Sequence, residues 1–274
     1  MPITKKPDGP ISVIEVTQDE VTFRLISRSP LIMERVGPKA WRELLFPAGR
    51  KTAADKLSSL KHEPTQEFRQ AAYRTATGPT LLYMPATAFK DALRSAAVDL
   101  AGVTKAEIGR LTYISQDRIP IYGIPQLIMS VVRSSDMAKT PDIRTRPIIP
   151  VWATEITIQF VRPKLNNQAI GNLLAAAGMT IGVGGWRQEK GSGSYGLWRI
   201  CTPQEDDLYD AIKEQGRGVQ EAAMAEPVCY DDQSSEMLEW FAEEFERRKQ
   251  RGVASVFALP NGRDEEEDVA DETE

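Results

Sequence analysis

One histidine and two cysteines are all that 274 residues offer of the side chains that most often carry catalysis or hold transition metals. Cys201 and Cys229 form no CxxC pair, so neither a disulfide framework nor a zinc site is indicated, and a reducing, cytoplasmic compartment is expected. His62 lies in the polar stretch Lys61-His-Glu-Pro64 and is expected as a solvated surface residue. A Ser-His-Asp triad, a Cys-His pair or a multi-histidine metal site would each depend on that one ring. Carboxylates cluster as neighbours, at Glu205-Asp206-Asp207, Asp231-Asp232 and Glu243-Glu244, and neighbours on a helix do not face each other, so these read as solvated faces. The expectation is a protein without catalytic site, metal or cofactor. No apolar run approaches the roughly 20 residues of a membrane span. The N-terminus, Met-Pro-Ile-Thr-Lys-Lys-Pro-Asp-Gly-Pro10, has no apolar h-region, so no signal peptide is expected.

Nucleotide loops are missing as well. No GxxxxGK[ST] occurs, since Lys190 precedes its glycine. Gly191-Ser-Gly-Ser-Tyr-Gly196 fits GxGxxG, but an extended run to Ile200 follows it where the dinucleotide fingerprint requires a helix.

What the chain does have is a divided charge. Residues 1–202 hold 27 Lys and Arg against 17 Asp and Glu, a net of +10, whereas residues 203–274 hold 7 against 22, a net of -15. A basic body points to an anionic partner, and an acidic C-terminal quarter can compete for the same surface. The last eleven residues, 264–274, contain eight carboxylates and are expected to be disordered when free. Such a tail can mimic a nucleic-acid strand within the molecule, or simply keep the protein soluble. Hydrophobic residues make up 41% of the chain, enough for one compact domain with appendages.

The densest motif is Ile181-Gly-Val-Gly-Gly-Trp-Arg-Gln-Glu-Lys-Gly-Ser-Gly-Ser-Tyr-Gly-Leu-Trp-Arg-Ile200. Glycines let a loop reach positive φ and approach a ligand backbone, Arg187 and Lys190 can neutralise phosphates, and Trp186 and Tyr195 can stack on bases at about 1–3 kcal/mol per base. An ordinary surface hairpin and aromatic packing against a strand are the plainer alternatives.

The pattern along the chain predicts a hairpin from 11–16 and 21–27 turning at Gln18-Asp19-Glu20. A short helix over Pro38–Phe46 and a mobile loop over 47–67 come next. A helix over 85–101 is the clearest element, with Phe89, Leu93, Ala96, Ala97 and Leu100 on one face. Two β-branched runs, 121–132 and 148–161, read as neighbouring strands of one sheet, joined by a mildly basic excursion over 133–147 that carries Arg133, Lys139, Arg144 and Arg146. A helix over 166–177 capped by Gly178 and a strand over 195–200 follow, then acidic helices at 205–225 and 235–250. The core order, strand 21–27, helix 85–101, strand 121–132, strand 148–161, helix 166–177, strand 195–200, is βαββαβ. The expected fold is therefore α+β, with a ferredoxin-like core.

That order, the glycine-rich loop between the second helix and last strand, and the basic insertion between the middle strands resemble the RAMP superfamily. The nearest likeness is to the backbone subunits that polymerise along guide RNA in CRISPR effector complexes. The helix start Pro85-Ala-Thr-Ala-Phe-Lys-Asp-Ala-Leu and the loop Gly182-Val-Gly-Gly-Trp-Arg-Gln-Glu-Lys-Gly are also similar to a group of phage proteins of about this length. The resemblance covers roughly residues 11–202. It implies a thumb-like finger at 133–147 folding over a bound strand, and phosphate contacts from Arg187 and Lys190 in the loop and from Lys90 and Arg94 in the first core helix. It does not extend to cleavage, since RAMP ribonucleases commonly rely on histidine and His62 lies far from the loop in sequence. The acidic tail departs from the backbone subunits and resembles the tails of single-stranded DNA-binding proteins, although it ends in Glu-Thr-Glu274 without an aromatic residue.

The sequence thus points to a nucleic-acid-binding core over 1–202, an acidic helical extension over 203–263 and an acidic tail over 264–274. The expected function is non-catalytic binding of single-stranded nucleic acid by copies that line up along the strand, in a phage-type single-stranded DNA role. Two alternatives stand beside it: a guide-RNA-binding subunit of a CRISPR-like complex, and a phage structural or assembly subunit. Expected partners are the strand, further copies of the chain, and replication or effector-complex proteins reached through the acidic C-terminus; no membrane is expected.

Overall fold

A computed structural model describes residues 15–46, 60–101, 103–133, 140–190 and 193–249. Most of the 11–16 strand and the 47–67 loop, Lys139 of the finger and the 264–274 tail fall outside them.

The longest strand, β1 (Thr17–Ser27), turns Phe23 and Leu25 toward the core and leaves Thr22 and Arg24 exposed, the alternation of a half-buried antiparallel strand. It pairs with β8 (Ala153–Arg162) from Thr17↔Arg162 to Ile26↔Ala153. The turn expected at Gln18-Asp19-Glu20 does not exist, because all three residues lie in that ladder. Their polarity serves cross-strand contacts on a wet edge: Gln18 Nε2 donates to Gln159 Oε1 at 2.7 Å, and Asp19 meets Arg162 at 2.7 Å.

On its other side β1 pairs with β9 (Trp198–Ile200), and β8 pairs with β4 (Thr112–Ile114). The resulting antiparallel sheet has the order β4-β8-β1-β9. The chain enters β4 through α3 (Ala86–Ala101) and α4 (Lys105–Leu111), and passes from β8 to β9 through α5 (Asn167–Thr180). Phe89 and Leu93 of α3 and Ile170 and Leu174 of α5 share one core with Ile156, Ile158 and Phe160 of β8. Phe89 is fully buried with its ring 5.5 Å from that of Trp198, so truncating it to alanine would cost about 3–5 kcal/mol.

A second sheet, in the order β2-β7-β6, joins β2 (Leu31–Ile32), β7 (Pro141–Ile149) and β6 (Gln126–Arg133). The strands expected at 121–132 and 148–161 are revised here. Residues 148–149 belong to β7 and 153–161 to β8, because Pro150, which has no N–H to donate, lies where the chain changes sheets. Buried Trp152 anchors the crossing, its Nε1 donating to Ser29 O at 3.0 Å. The run from Gln126 pairs with β7, so β4 takes the place expected for 121–132 in the main sheet. Residues 141–147, expected as part of the finger, form β7.

α1 (Pro38–Leu45) follows β2, α2 (Pro64–Ala71) packs against β7 and makes residues 64–67 of the expected loop helical, and β3 (Tyr83–Pro85) pairs with β5 (Arg118–Pro120). The helix expected over 205–225 is broken at Gly216 into α6 (Asp206–Lys213) and α7 (Arg217–Ala225); α8 (Asp232–Lys249) follows. These acidic helices dock through neutral or basic anchors. Gln220 is fully buried, accepting from the amides of Leu81 and Leu82 and donating to the carbonyls of Ile121 and Gly123. Tyr209 packs beneath Ile26 and Ala153, and burial pushes its phenol up to about 12. Among the described residues no helix is long and apolar enough to cross a membrane.

Candidate nucleic-acid interface

The glycine-rich loop leaves the end of α5, whose start is capped by Asn166 Oδ1 accepting from Ala169 N at 2.8 Å. Gly178, expected as the helix cap, lies inside the helix. A Cβ there would sit 2.5 Å from Trp198 O, so its role is close helix-to-strand packing. Past the helix, Gly184 (φ +83) and Gly196 (φ +69) take left-handed backbone, and a Cβ at either would fall 2.4 Å from Ile32 O or 1.8 Å from Val183 O. These two glycines are therefore required by the protein's own backbone contacts. Trp186 also sits at φ +50, a conformation that costs a bulky residue on the order of 1–3 kcal/mol and is found most often at functional sites.

Two concavities flank the loop. A cleft of about 520 Å³ lies against α3, and its charged lining is Glu34, Asp91, Arg94, Lys105, Arg187 and Glu189. Its cations are already engaged. Arg187 Nε donates to Glu189 Oε2 at 2.9 Å, and Arg94 donates to Asp91 Oδ1 at 2.8 Å and to Lys105 O at 3.1 Å. Lys105 Nζ donates to Ser95 Oγ at 3.0 Å, which in turn donates to Glu189 Oε1 at 2.8 Å. Three cations face three carboxylates, so the lining is close to neutral.

The second concavity, about 390 Å³, is lined by Val131, Val132, Arg133 and Trp186. The half-buried Trp186 ring lies 4.5 Å from the Arg146 guanidinium and 6.1 Å from the Tyr195 ring. Trp186 and Tyr195 pack over Ile32, Ile128 and Ile148, on the face of the small sheet opposite the main core. Arg146 is 3% exposed and donates to Glu34 Oε1 at 3.1 Å and Ser130 Oγ at 3.0 Å, while its Nε has no hydrogen-bond partner. Burial pushes its pKa down, against the opposing pull of the Glu34 carboxylate. Arg133 is exposed at the end of β6 and has no carboxylate partner among the described residues.

The sequence-predicted site residues therefore divide. Arg94 and Arg187 meet at the cleft; Trp186 and Arg133 line the hollow, with Tyr195 and Arg146 packed against Trp186. Arg144 is exposed on β7 with Asp142 3.7 Å away, and Lys90 is half-buried on α3 outside the cleft lining. Lys139 and the Lys190 side chain lie outside the described residues. Glu34, Ser95, Lys105 and Glu189 were not anticipated. Only Glu189, two residues from Arg187, had a local signal.

His62 is not the solvated residue expected. Its ring nitrogens lie 2.9 Å from Glu67 Oε1 and 3.1 Å from Asp142 Oδ1, tying the start of α2 to β7. Asp142 also accepts from Lys61 at 2.6 Å; burial alone would raise its pKa, but Lys61, His62 and Arg144 together hold it below the usual range. Among the described residues no group of His, Cys, Asp and Glu is arranged to hold a metal ion.

No protein-family model matches this chain, and no curated protein matches it. Among solved structures it is similar to a chain in the cryo-EM structure of the Type III-B Cmr-beta bound to cognate target RNA, with a TM-score of 0.36 and 15% identity over 68% of this chain. It spans 59% of that chain's length. It is also similar to the crystal structure of Cmr6 from Pyrococcus furiosus, with a TM-score of 0.35 and 10% identity, covering 68% of this chain and 98% of Cmr6.

Proposed function

We propose that this chain is a non-catalytic protein that binds single-stranded nucleic acid, with the hollow at Trp186 and Arg133 holding a base and its phosphate. One observation carries the proposal. The half-buried indole is held in left-handed backbone 4.5 Å from the buried Arg146 guanidinium, and it lines a hollow whose one charged side chain, Arg133, has no carboxylate partner among the described residues. A flat π-surface beside a free cation is the combination that sequence-independent strand binding uses. Arg146 acts here as the support that orients the ring, and Arg133, with Arg144 on β7, supplies charge to phosphates. Lys90, Lys139 and Lys190 are proposed as further phosphate contacts.

The strand order β4-β8-β1-β9, with α3 and α5 in the crossovers, supports a ferredoxin-like core. Single-stranded DNA in a phage-type role is the favoured ligand, with copies lined up along it; a guide RNA held by a subunit of a CRISPR-like complex is the alternative.

The test is binding of a fluorescent strand of about 40 nucleotides, DNA and RNA in parallel with duplex, across a salt series, because affinity from phosphate neutralisation falls steeply as salt rises. Salt-dependent binding of single strands over duplex is expected, and the tighter arm names the polymer. Absence of binding at low salt overturns the proposal in favour of an assembly subunit.

A further inference from the structure

The helix α1 has eight residues, and helices that short do not hold together in water without a packing partner. Yet among the described residues α1 has no extensive contact with another named helix or strand. Its apolar side chains are turned outward: Leu44 is 76% exposed, Leu45 72% and Phe46 75%, with Trp41 at 42%. Trp41, Leu44 and Leu45 recur at i, i+3 and i+4, so they form one stripe, and Arg35 lies over the Trp41 ring at 5.0 Å. A contiguous apolar stripe on so short a helix is a docking face.

The sequence contains a segment suited to it. Beyond Lys249, where α8 ends, residues 252–262 (Gly-Val-Ala-Ser-Val-Phe-Ala-Leu-Pro-Asn-Gly) carry no charge and place Val253, Val256, Phe257 and Leu259 within seven residues. After Arg263 come the eight carboxylates of 264–274. In sequence the α1 segment carries the opposite sign, since residues 35–46 hold Arg35, Lys39 and Arg42 against Glu43. An apolar plug with an acidic extension thus matches an apolar stripe in a basic neighbourhood.

We propose that the α1 face, through Trp41, Leu44, Leu45 and Phe46, is the dock for the Val253–Leu259 segment of this same chain. The apolar side chains provide the contact, and the acidic tail steers and registers it against the cations around α1. A tail held at α1 is also kept in a defined place, which gives the acidic quarter a structural role separate from nucleic-acid binding.

Hydrogen exchange on the full-length protein without nucleic acid tests this, so its outcome is independent of the proposed function. The α1 amides should be protected in the native sequence and exchange at least about tenfold faster in a Phe257→Asp, Leu259→Asp variant, with β1 and β8 unchanged as the folding control. Leu44→Asp should release the same protection from the other side, making 253–259 exchange faster. Protection independent of concentration but lost in the variants supports docking within one chain; protection that weakens on dilution overturns it, because the donor is then a second copy. Unprotected α1 amides in the native protein, or protection untouched by Phe257→Asp, Leu259→Asp, overturns the proposal.

Discussion

The two concavities beside the glycine-rich loop are built from the same kinds of residue and differ in how their charges are used. In the cleft, Arg187 is held by Glu189, Arg94 by Asp91, and Lys105 reaches Glu189 through Ser95. In the hollow, the arginine with a carboxylate, Arg146, is buried beneath an aromatic ring, and the exposed one, Arg133, has none among the described residues. A polyanion gains free energy only from cations that are not already neutralised, since those are the ones that release its counterions. The larger cavity is then not the better candidate for a strand.

Variants can break or sharpen that contrast. Trp186→Ala should have the largest effect, weakening single-strand binding by about 1–3 kcal/mol in a fluorescence titration, with Trp186→Phe retaining part of it. Arg133→Gln should lower the slope of log affinity against log salt by about one, uniformly across sequences. Deleting residues 264–274 should tighten binding severalfold at low salt if the acidic tail competes with the strand; unchanged affinity would remove that role. The smallest effect belongs to the cleft. Replacing both members of its pair, Arg187→Gln with Glu189→Gln, should leave affinity within about twofold, because no net charge is removed. A large loss there would move the interface to the cleft.

The fold was legible where residues act locally and lost where distant contacts decide. The spacing of Phe89, Leu93, Ala96 and Ala97 identified α3, and all four are buried. Three-residue β4 carries no periodic signal, and its place in the sheet comes from pairing with β8 some fifty residues later. The apolar run 148–161 looks continuous in sequence and is divided between two sheets at Pro150–Trp152, which only the tertiary arrangement reveals. Polarity at 18–20 suggested a turn because a strand edge in water and a turn share composition. At the site, the aromatics and cations were visible as residue types. What could not be read was their pairing: Glu34 with Arg146, 112 positions apart, and Asp142 with His62, 80 apart. The glycines were visible too, but Gly184 and Gly196 answer to Ile32 O and Val183 O rather than to a ligand.

Ultraviolet cross-linking of a single strand to the full-length protein, followed by mass-spectrometric mapping, tests the central claim most directly. Cross-links confined to the peptides bearing Trp186, Tyr195 and Arg133 are the predicted result. Cross-links centred on Arg94 and Lys105, or none under conditions where the strand is bound, would contradict it.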